Sequence, residues 1–107
     1  MIVTNEKQGE LERLEADVER TLKLYESYIY GSAIRTRQMI ENKGIKKTLE
    51  DLVQSSECQQ GFKKLYEHGD LDKSFEALVL RYSGLFSDTA VQASDYRFNH
   101  PDVFINL

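Results

Sequence analysis

Cysteine, proline and tryptophan are scarce in this chain of 107 residues, which has one Cys, one Pro and no Trp. A lone cysteine, Cys58, excludes an internal disulfide and a zinc site made of several thiolates. One proline and 6 glycines argue against disorder and against an all-β chain dense in turns. There is neither an apolar run of membrane-spanning length nor a signal-peptide pattern. We therefore expect a cytoplasmic protein with no membrane segment.

A surplus of positive charge is also lacking. The formal net charge is −4, so the chain has no overall positive field of the kind used in non-specific binding to nucleic acid or anionic lipid. The length suffices for one small core. The sequence thus predicts a single helical domain over 1–107, with 1–9 and 99–107 as candidate flexible tails.

Apolar residues recur at helical spacing between Gly9 and Ile29, with charged residues on the opposite face. This pattern predicts a long amphipathic helix. The same residues also fit about two and a half heptads, which is short for a coiled coil, so packing on the chain's own domain is favoured over a dimer seam.

Glycines, caps and the single proline divide the rest of the chain into short helices. We expect a left-handed residue at Gly31, helices over 33–43 and 45–54 separated by Gly44, and a helix over 57–69 ending at Gly69. Asp72 is the expected cap of the next helix, Ser87 or Asp88 caps the last one, and Pro101 ends it. The tail after Asn99 is either packed on the body or free for a partner.

This reading gives an all-α fold, a small bundle of five or six short helices with a longer N-terminal amphipathic helix. Its expected core consists of Phe75, Leu78, Val79, Leu49, Leu52, Phe62, Leu65 and Val91.

Five segments share a pattern of helix-packing and helix-end residues: Arg35-x-Arg37-x-Met39-Ile40, Gly61-Phe62, Gly69-Asp70-Leu71-Asp72, Glu76-Ala77-Leu78-Val79-Leu80 and Leu85-Phe86-Ser87-Asp88. Together they resemble a module of uncharacterised bacterial proteins of unknown function. The resemblance covers roughly residues 20–98 and lies in residues of helix packing and helix ends. It implies an all-α domain, found alone or beside other domains and sometimes near restriction and phage-defence genes, and it brings no catalytic residue. Where relatives often have a proline turn, this chain has Ser83-Gly84.

The leading functional hypothesis is a non-enzymatic protein-interaction module whose partner is another protein or a second copy of the chain, as in a homodimer. Tyr28, Ile29 and Tyr30 are consecutive bulky residues that cannot all face one core, so whichever stays exposed is a candidate anchor. The candidate interaction residues on and after the N-terminal helix are Leu11, Leu14, Val18, Tyr25, Tyr28 and Tyr30.

The alternative hypothesis is a nucleic-acid-associated accessory protein in a restriction or phage-defence context. Residues 32–50 carry a local charge of about +3, from five basic and two acidic side chains, and phosphate binding needs several cations on one surface. The candidate residues are Arg35, Arg37, Lys43, Lys46 and Lys47.

Catalytic and metal-binding patterns are weak. His68 and His100 are the candidates for proton transfer near neutral pH, but His68 fits the end of a helix and His100 lacks further spaced ligands. Cys58 with His68 has no orienting third group and reads as a small apolar filler. We therefore expect no enzyme activity, no metal and no cofactor.

Overall fold

Six α-helices and two short 3₁₀ turns make up the part of the chain that the structure describes, and no strand is found there. The structure is a computed structural model that describes residues 6–55 and 59–105, without the side chains of residues 6 and 59. The all-α prediction with a longer N-terminal helix is confirmed. The helices are α1 (Glu6–Ile29), α2 (Ile34–Leu52), α3 (Gln59–Glu67), α4 (Phe75–Arg81), α5 (Asp88–Asn99) and α6 (Pro101–Ile105), and the 3₁₀ turns are Leu71–Lys73 and Ser83–Leu85.

The core is centred on α1 and α4. On α1, Leu14, Val18 and Leu22 are buried, and they belong to one apolar cluster with Leu78 and Val79 of α4. Predicted core residues Leu49, Phe62 and Leu65 are also buried, whereas Leu52, Phe75 and Val91 are half-buried. The burial of α1 agrees with packing on the chain's own domain and not with a dimer seam.

Glycine breaks lie where the sequence predicts them at two of three positions. Gly44 interrupts α2 with φ 84° and ψ 163°, and Gly69 follows α3 with φ 74°. After α1, however, the left-handed residue is Tyr30, at φ 53°, and not Gly31. The Gly31 N–H donates to the Glu26 carbonyl at 3.2 Å, the bond that closes a Schellman end with Tyr30 as its C′ residue. The prediction for Gly31 is therefore wrong by one residue.

Serine hydroxyls cap two of the later helices. Ser74 accepts from the Ala77 N–H at the start of α4, and Ser87 accepts from the Ala90 N–H at the start of α5. The Ser87 prediction is confirmed. The Asp72 prediction is wrong, because Asp72 lies inside the 3₁₀ turn that precedes Ser74. The expected cap at Ser56 and the packing of Cys58 fall outside the described residues.

The chain continues past α5 into a further short helix. α5 ends at Asn99 as Pro101 predicts, and α6 then places Phe104 in a buried position against Phe62 of α3, with ring centroids 5.3 Å apart. Of the two alternatives for the tail, its described part is thus packed on the body. Among the described helices none is both long enough and apolar enough to cross a membrane.

Candidate protein-interaction site

Leu14 and Val18, two of the predicted interaction residues, are core residues of this chain. Their side chains are 0% and 1% exposed. Leu11 and Tyr25 are half-buried and pack against the same core. A partner cannot reach Leu14 or Val18 without opening the domain, which corrects their assignment to an interaction surface.

Tyr28 is tied to the loop after α3. Its ring stacks on His68 at 3.7 Å between centroids and 8° between planes, and its hydroxyl donates to the Asp70 carboxylate. That hydrogen bond raises the pKa of Tyr28. His68 Nδ1 lies 2.8 Å from the Lys64 carbonyl oxygen, so the imidazole is engaged at the end of α3, in line with its predicted helix-end role. Tyr28 thus joins α1 to the body of the protein.

Tyr30 is the one of the three consecutive bulky residues that stays in solvent. Its side chain is 95% exposed, while Tyr28 and Ile29 are half-buried. Four residues later Ile34, the first residue of α2, is 60% exposed. We refer to these two side chains as the Tyr30–Ile34 corner. It presents two large side chains with apolar surface in the turn between α1 and α2.

An apolar cleft of about 500 Å³ opens beside this corner. It lies between α1, α2, α3 and α4, and Ile34 is part of its lining. Its other apolar lining residues are Leu22, Tyr25, Ile29, Ala33, Met39, Leu52, Phe62, Leu65 and Phe75. A concave apolar surface with an exposed apolar residue in its lining, here Ile34, is typical of a protein-binding or ligand-binding site.

Glu26 fixes the start of α2 and therefore the position of Ile34. Its Oε2 accepts the N–H of Ala33, the N-cap residue of α2, at 2.7 Å, as the Glu of a capping box does. Arg37 donates to the same carboxylate at 2.8 and 2.9 Å. The hydrogen bonds from Arg37, followed by the one from Ala33, lower the pKa of Glu26 to about 2.

Three cations in the predicted basic stretch form ion pairs with carboxylates. Arg37 also forms two hydrogen bonds with Glu19, at 2.9 and 3.0 Å. Its hydrogen bonds to Glu26, followed by those to Glu19, raise the pKa of Arg37. Lys43 and Lys47 both pair with Asp51, at 2.7 and 3.1 Å. The hydrogen bond from Lys43 is the largest cause of the lowered pKa of Asp51.

Arg35 and Lys46 complete the predicted basic set, and both are exposed. For Lys46 no ion pair occurs within the described residues. The sequence analysis did not predict that Arg37, Lys43 and Lys47 pair with carboxylates. Asp51 lies one residue beyond the stretch, and Glu19 and Glu26 are two turns apart on α1, a spacing that places both on one helix face.

A buried ion pair joins α4 to α5 behind the cleft. Arg97 and Glu76 lie 3.2 Å apart with side chains 9% and 3% exposed, and Glu76 contributes to the cleft lining. Arg97 also donates to the carbonyls of Leu52 and Ser55, at 3.1 and 2.8 Å. Its guanidinium lies 4.2 Å from the Phe104 ring centroid. These contacts fit a structural role in connecting helix ends.

The two histidines are both exposed, and each stacks on a different tyrosine. His100 stacks on Tyr96 at 4.6 Å, with its Nδ1 3.0 Å from the Tyr96 carbonyl oxygen. Within residues 6–55 and 59–105, no group of three or more His, Cys, Asp and Glu side chains is arranged to hold a metal ion. The absence of enzyme activity, metal and cofactor stays a prediction.

Comparison with known proteins adds no relationship: no protein-family model, no curated protein and no solved structure matches the chain. The resemblance to uncharacterised bacterial proteins therefore stays a prediction.

Proposed function

We propose that this chain is a non-enzymatic, cytoplasmic protein-interaction module whose partner contacts the Tyr30–Ile34 corner and inserts apolar side chains into the adjoining cleft. The observation that carries the proposal is the 95% exposure of Tyr30, an aromatic residue in the left-handed region, where glycine would be the ordinary choice. Aromatic side chains next to a desolvated pocket supply much of the binding energy of protein interfaces.

The burial of α1 moves the proposed contact from the helix to the turn that follows it. Leu14 and Val18 belong to the core. Of the residues that the sequence predicts to contact a partner, Tyr30 is the most exposed. The cleft then adds residues from α2, α3 and α4 that no single sequence segment contains. The partner is another protein or a second copy of this chain.

The ion pairs of α2 weaken the nucleic-acid alternative. Phosphate binding requires cations that can exchange their counterions for phosphate. Arg37, Lys43 and Lys47 already have carboxylate partners, and Arg37 has two. The net charge of −4 opposes the approach of a polyanion as well.

Site-specific photocrosslinking tests the proposal. A benzophenone side chain replaces Ile34 in one variant and, as a matched control of similar exposure, Tyr96 on α5 in another. In native cells, the variant at position 34 should give a discrete adduct that the control does not give. The crosslinked protein, once purified, should bind the wild-type chain directly.

An adduct of twice the chain's own mass would identify a second copy as the partner. Equal adducts from both positions, no adduct from position 34, or an adduct that fails to bind as a purified protein would each contradict the proposal.

A further inference from the structure

A second concave surface lies between α1 and the first part of α2. We call it the acidic groove. Its volume is about 370 Å³, its apolar lining includes Val18, Leu22, Ile40 and Ile45, and two carboxylates, Glu15 and Glu41, also line it. Val18 and Leu22 are buried, and Ile40 and Ile45 are half-buried. The apolar surface that a partner can reach in the groove is therefore that of Ile40 and Ile45 on α2.

The contacts of Glu26 and Arg37 fix the direction of the first part of α2 relative to α1. Ala33 contacts Glu26, and Arg37, one turn further along α2, reaches back to Glu19 on α1. The first part of α2 therefore runs back along α1. A gap between two neighbouring helices offers a binding site for a third helix, as in helix-in-groove recognition.

The groove is bounded by helices, and this determines which kind of partner segment it can bind. Helix backbone groups are satisfied within each helix, so there is no free strand edge for an extended peptide to join. Binding must instead use side chains spaced at i, i+3, i+4 and i+7, which project from one face of a helix.

The charges of the groove determine which charge a bound segment must carry. Glu15 and Glu41 are exposed and form no ion pair within the described part of the chain. Arg37, the cation in the lining, is held by Glu19 and Glu26. The uncompensated charge of the groove is therefore negative, and the whole chain carries −4.

We infer that the acidic groove binds an amphipathic helix of a partner protein, whose apolar face packs on Ile40 and Ile45 and whose Lys or Arg side chains pair with Glu15 and Glu41. This inference rests on the proposed function and specifies its partner as a basic helix. Charge complementarity at such a rim selects the partner and speeds its association.

The test uses a synthetic helical peptide of about 14 residues, roughly four turns, with Leu at the i, i+3, i+4 and i+7 positions and Lys on the flanks. A second peptide keeps the leucines and replaces each Lys with Glu. Binding to the full chain is measured by fluorescence anisotropy at low and high salt. The Lys peptide should bind, with an affinity that falls as salt rises, and the Glu peptide should not.

Variants of the protein locate the binding. Glu15→Gln with Glu41→Gln should weaken the Lys peptide about fivefold or more, because two exposed ion pairs are lost. The matched control, Glu10→Gln with Glu12→Gln, removes the same charge from α1 outside the groove lining and should change affinity less than about twofold. Glu15→Lys with Glu41→Lys should reverse the preference toward the Glu peptide.

Failure of the Lys peptide to bind, equal binding of both peptides, or equal effects of the groove and control variants would overturn the inference. The proposed function is tested independently of the groove. If the partner captured through position 34 is insensitive to the groove variants but loses affinity when Tyr30 is replaced by glycine, the interaction module stands and the acidic groove is not its site.

Discussion

Arg37 of α2 is held by Glu26 of α1 through two hydrogen bonds, from Nε to Oε2 at 2.9 Å and from Nη2 to Oε1 at 2.8 Å. Glu26 Oε2 also accepts the first unpaired N–H before α2, that of Ala33. One carboxylate therefore sets both the start of α2 and its position along α1. The exposed Ile34 and both concave surfaces depend on that placement.

Removal of Glu26 tests this arrangement through stability. Glu26→Ala should lower the free energy of unfolding by about 1–3 kcal/mol, because it leaves the Ala33 N–H without its acceptor and leaves Arg37 with Glu19 as its one carboxylate partner. Glu26→Gln should cost less, since an amide oxygen can still accept from Ala33. Glu12→Ala, on the exposed face of the same helix, should change stability by no more than about 0.5 kcal/mol. Equal urea midpoints for Glu26→Ala and Glu12→Ala would refute the role of Glu26.

Acid should unfold the protein partly through the same carboxylate. The hydrogen bonds from Arg37 and Ala33 lower the pKa of Glu26 to about 2, and Arg37 also lowers the pKa of Glu19. In the unfolded chain a Glu titrates at about 4.3. Because the folded pKa is the lower one, the stabilisation is complete above the unfolded pKa and is lost as pH falls toward the folded pKa. The melting temperature should therefore drop between about pH 5 and pH 2, and Glu26→Gln should flatten this drop. An unchanged slope in Glu26→Gln would count against the assignment.

The left-handed backbone of Tyr30 predicts a stabilising substitution. A side chain with a Cβ costs about 1–2 kcal/mol in this region, and Tyr30 sits at φ 53°. Tyr30→Gly should raise the free energy of unfolding by about 1 kcal/mol, whereas the β-branched Tyr30→Val should lower it. Thermal melting of the two variants checks this. A less stable Tyr30→Gly would show that the side chain contributes to the fold, against its 95% exposure.

Substitutions at Leu14 test whether its side chain belongs to the core or to an interaction surface. Its side chain is 0% exposed, so Leu14→Ala should cost about 2–5 kcal/mol and Leu14→Asp should prevent folding. Ala16→Asp, at an exposed position on the same helix, is the control and should fold. Circular dichroism and solution mass report the outcome. A folded monomer of Leu14→Asp, derived from a larger wild-type species, would instead place Leu14 in a dimer seam.

Local patterns in the sequence predict the helices and most of their ends. Gly44, Gly69, Ser87 and Pro101 act through their own backbone or through a neighbour a few residues away, so their effects can be read along the chain. The crowding of three bulky residues likewise predicts that one near Tyr30 stays exposed. At Gly31 the local rule fails because α1 ends one residue earlier, and Tyr30 takes the left-handed conformation.

Contacts across helices are not predictable in this way. Arg97 and Glu76 are charged residues in helical segments and look like surface positions, yet they form a buried pair 21 residues apart in sequence. In the sequence Arg37 belongs to a cationic stretch, whereas in the fold it pairs with Glu19 and Glu26 of α1. These pairings depend on how the helices are oriented, and so do the apolar cleft and the acidic groove.

Binding of a protein partner at the Tyr30–Ile34 corner can be measured directly. The most direct measurement is the affinity of the wild-type chain for the partner purified through position 34, compared with the double variant Tyr30→Gly, Ile34→Ser and with the control Tyr96→Ala. We expect at least about tenfold weaker binding for the double variant, which corresponds to about 1.4 kcal/mol, with folding retained and the control unaffected. An affinity no weaker than that of the control would contradict it.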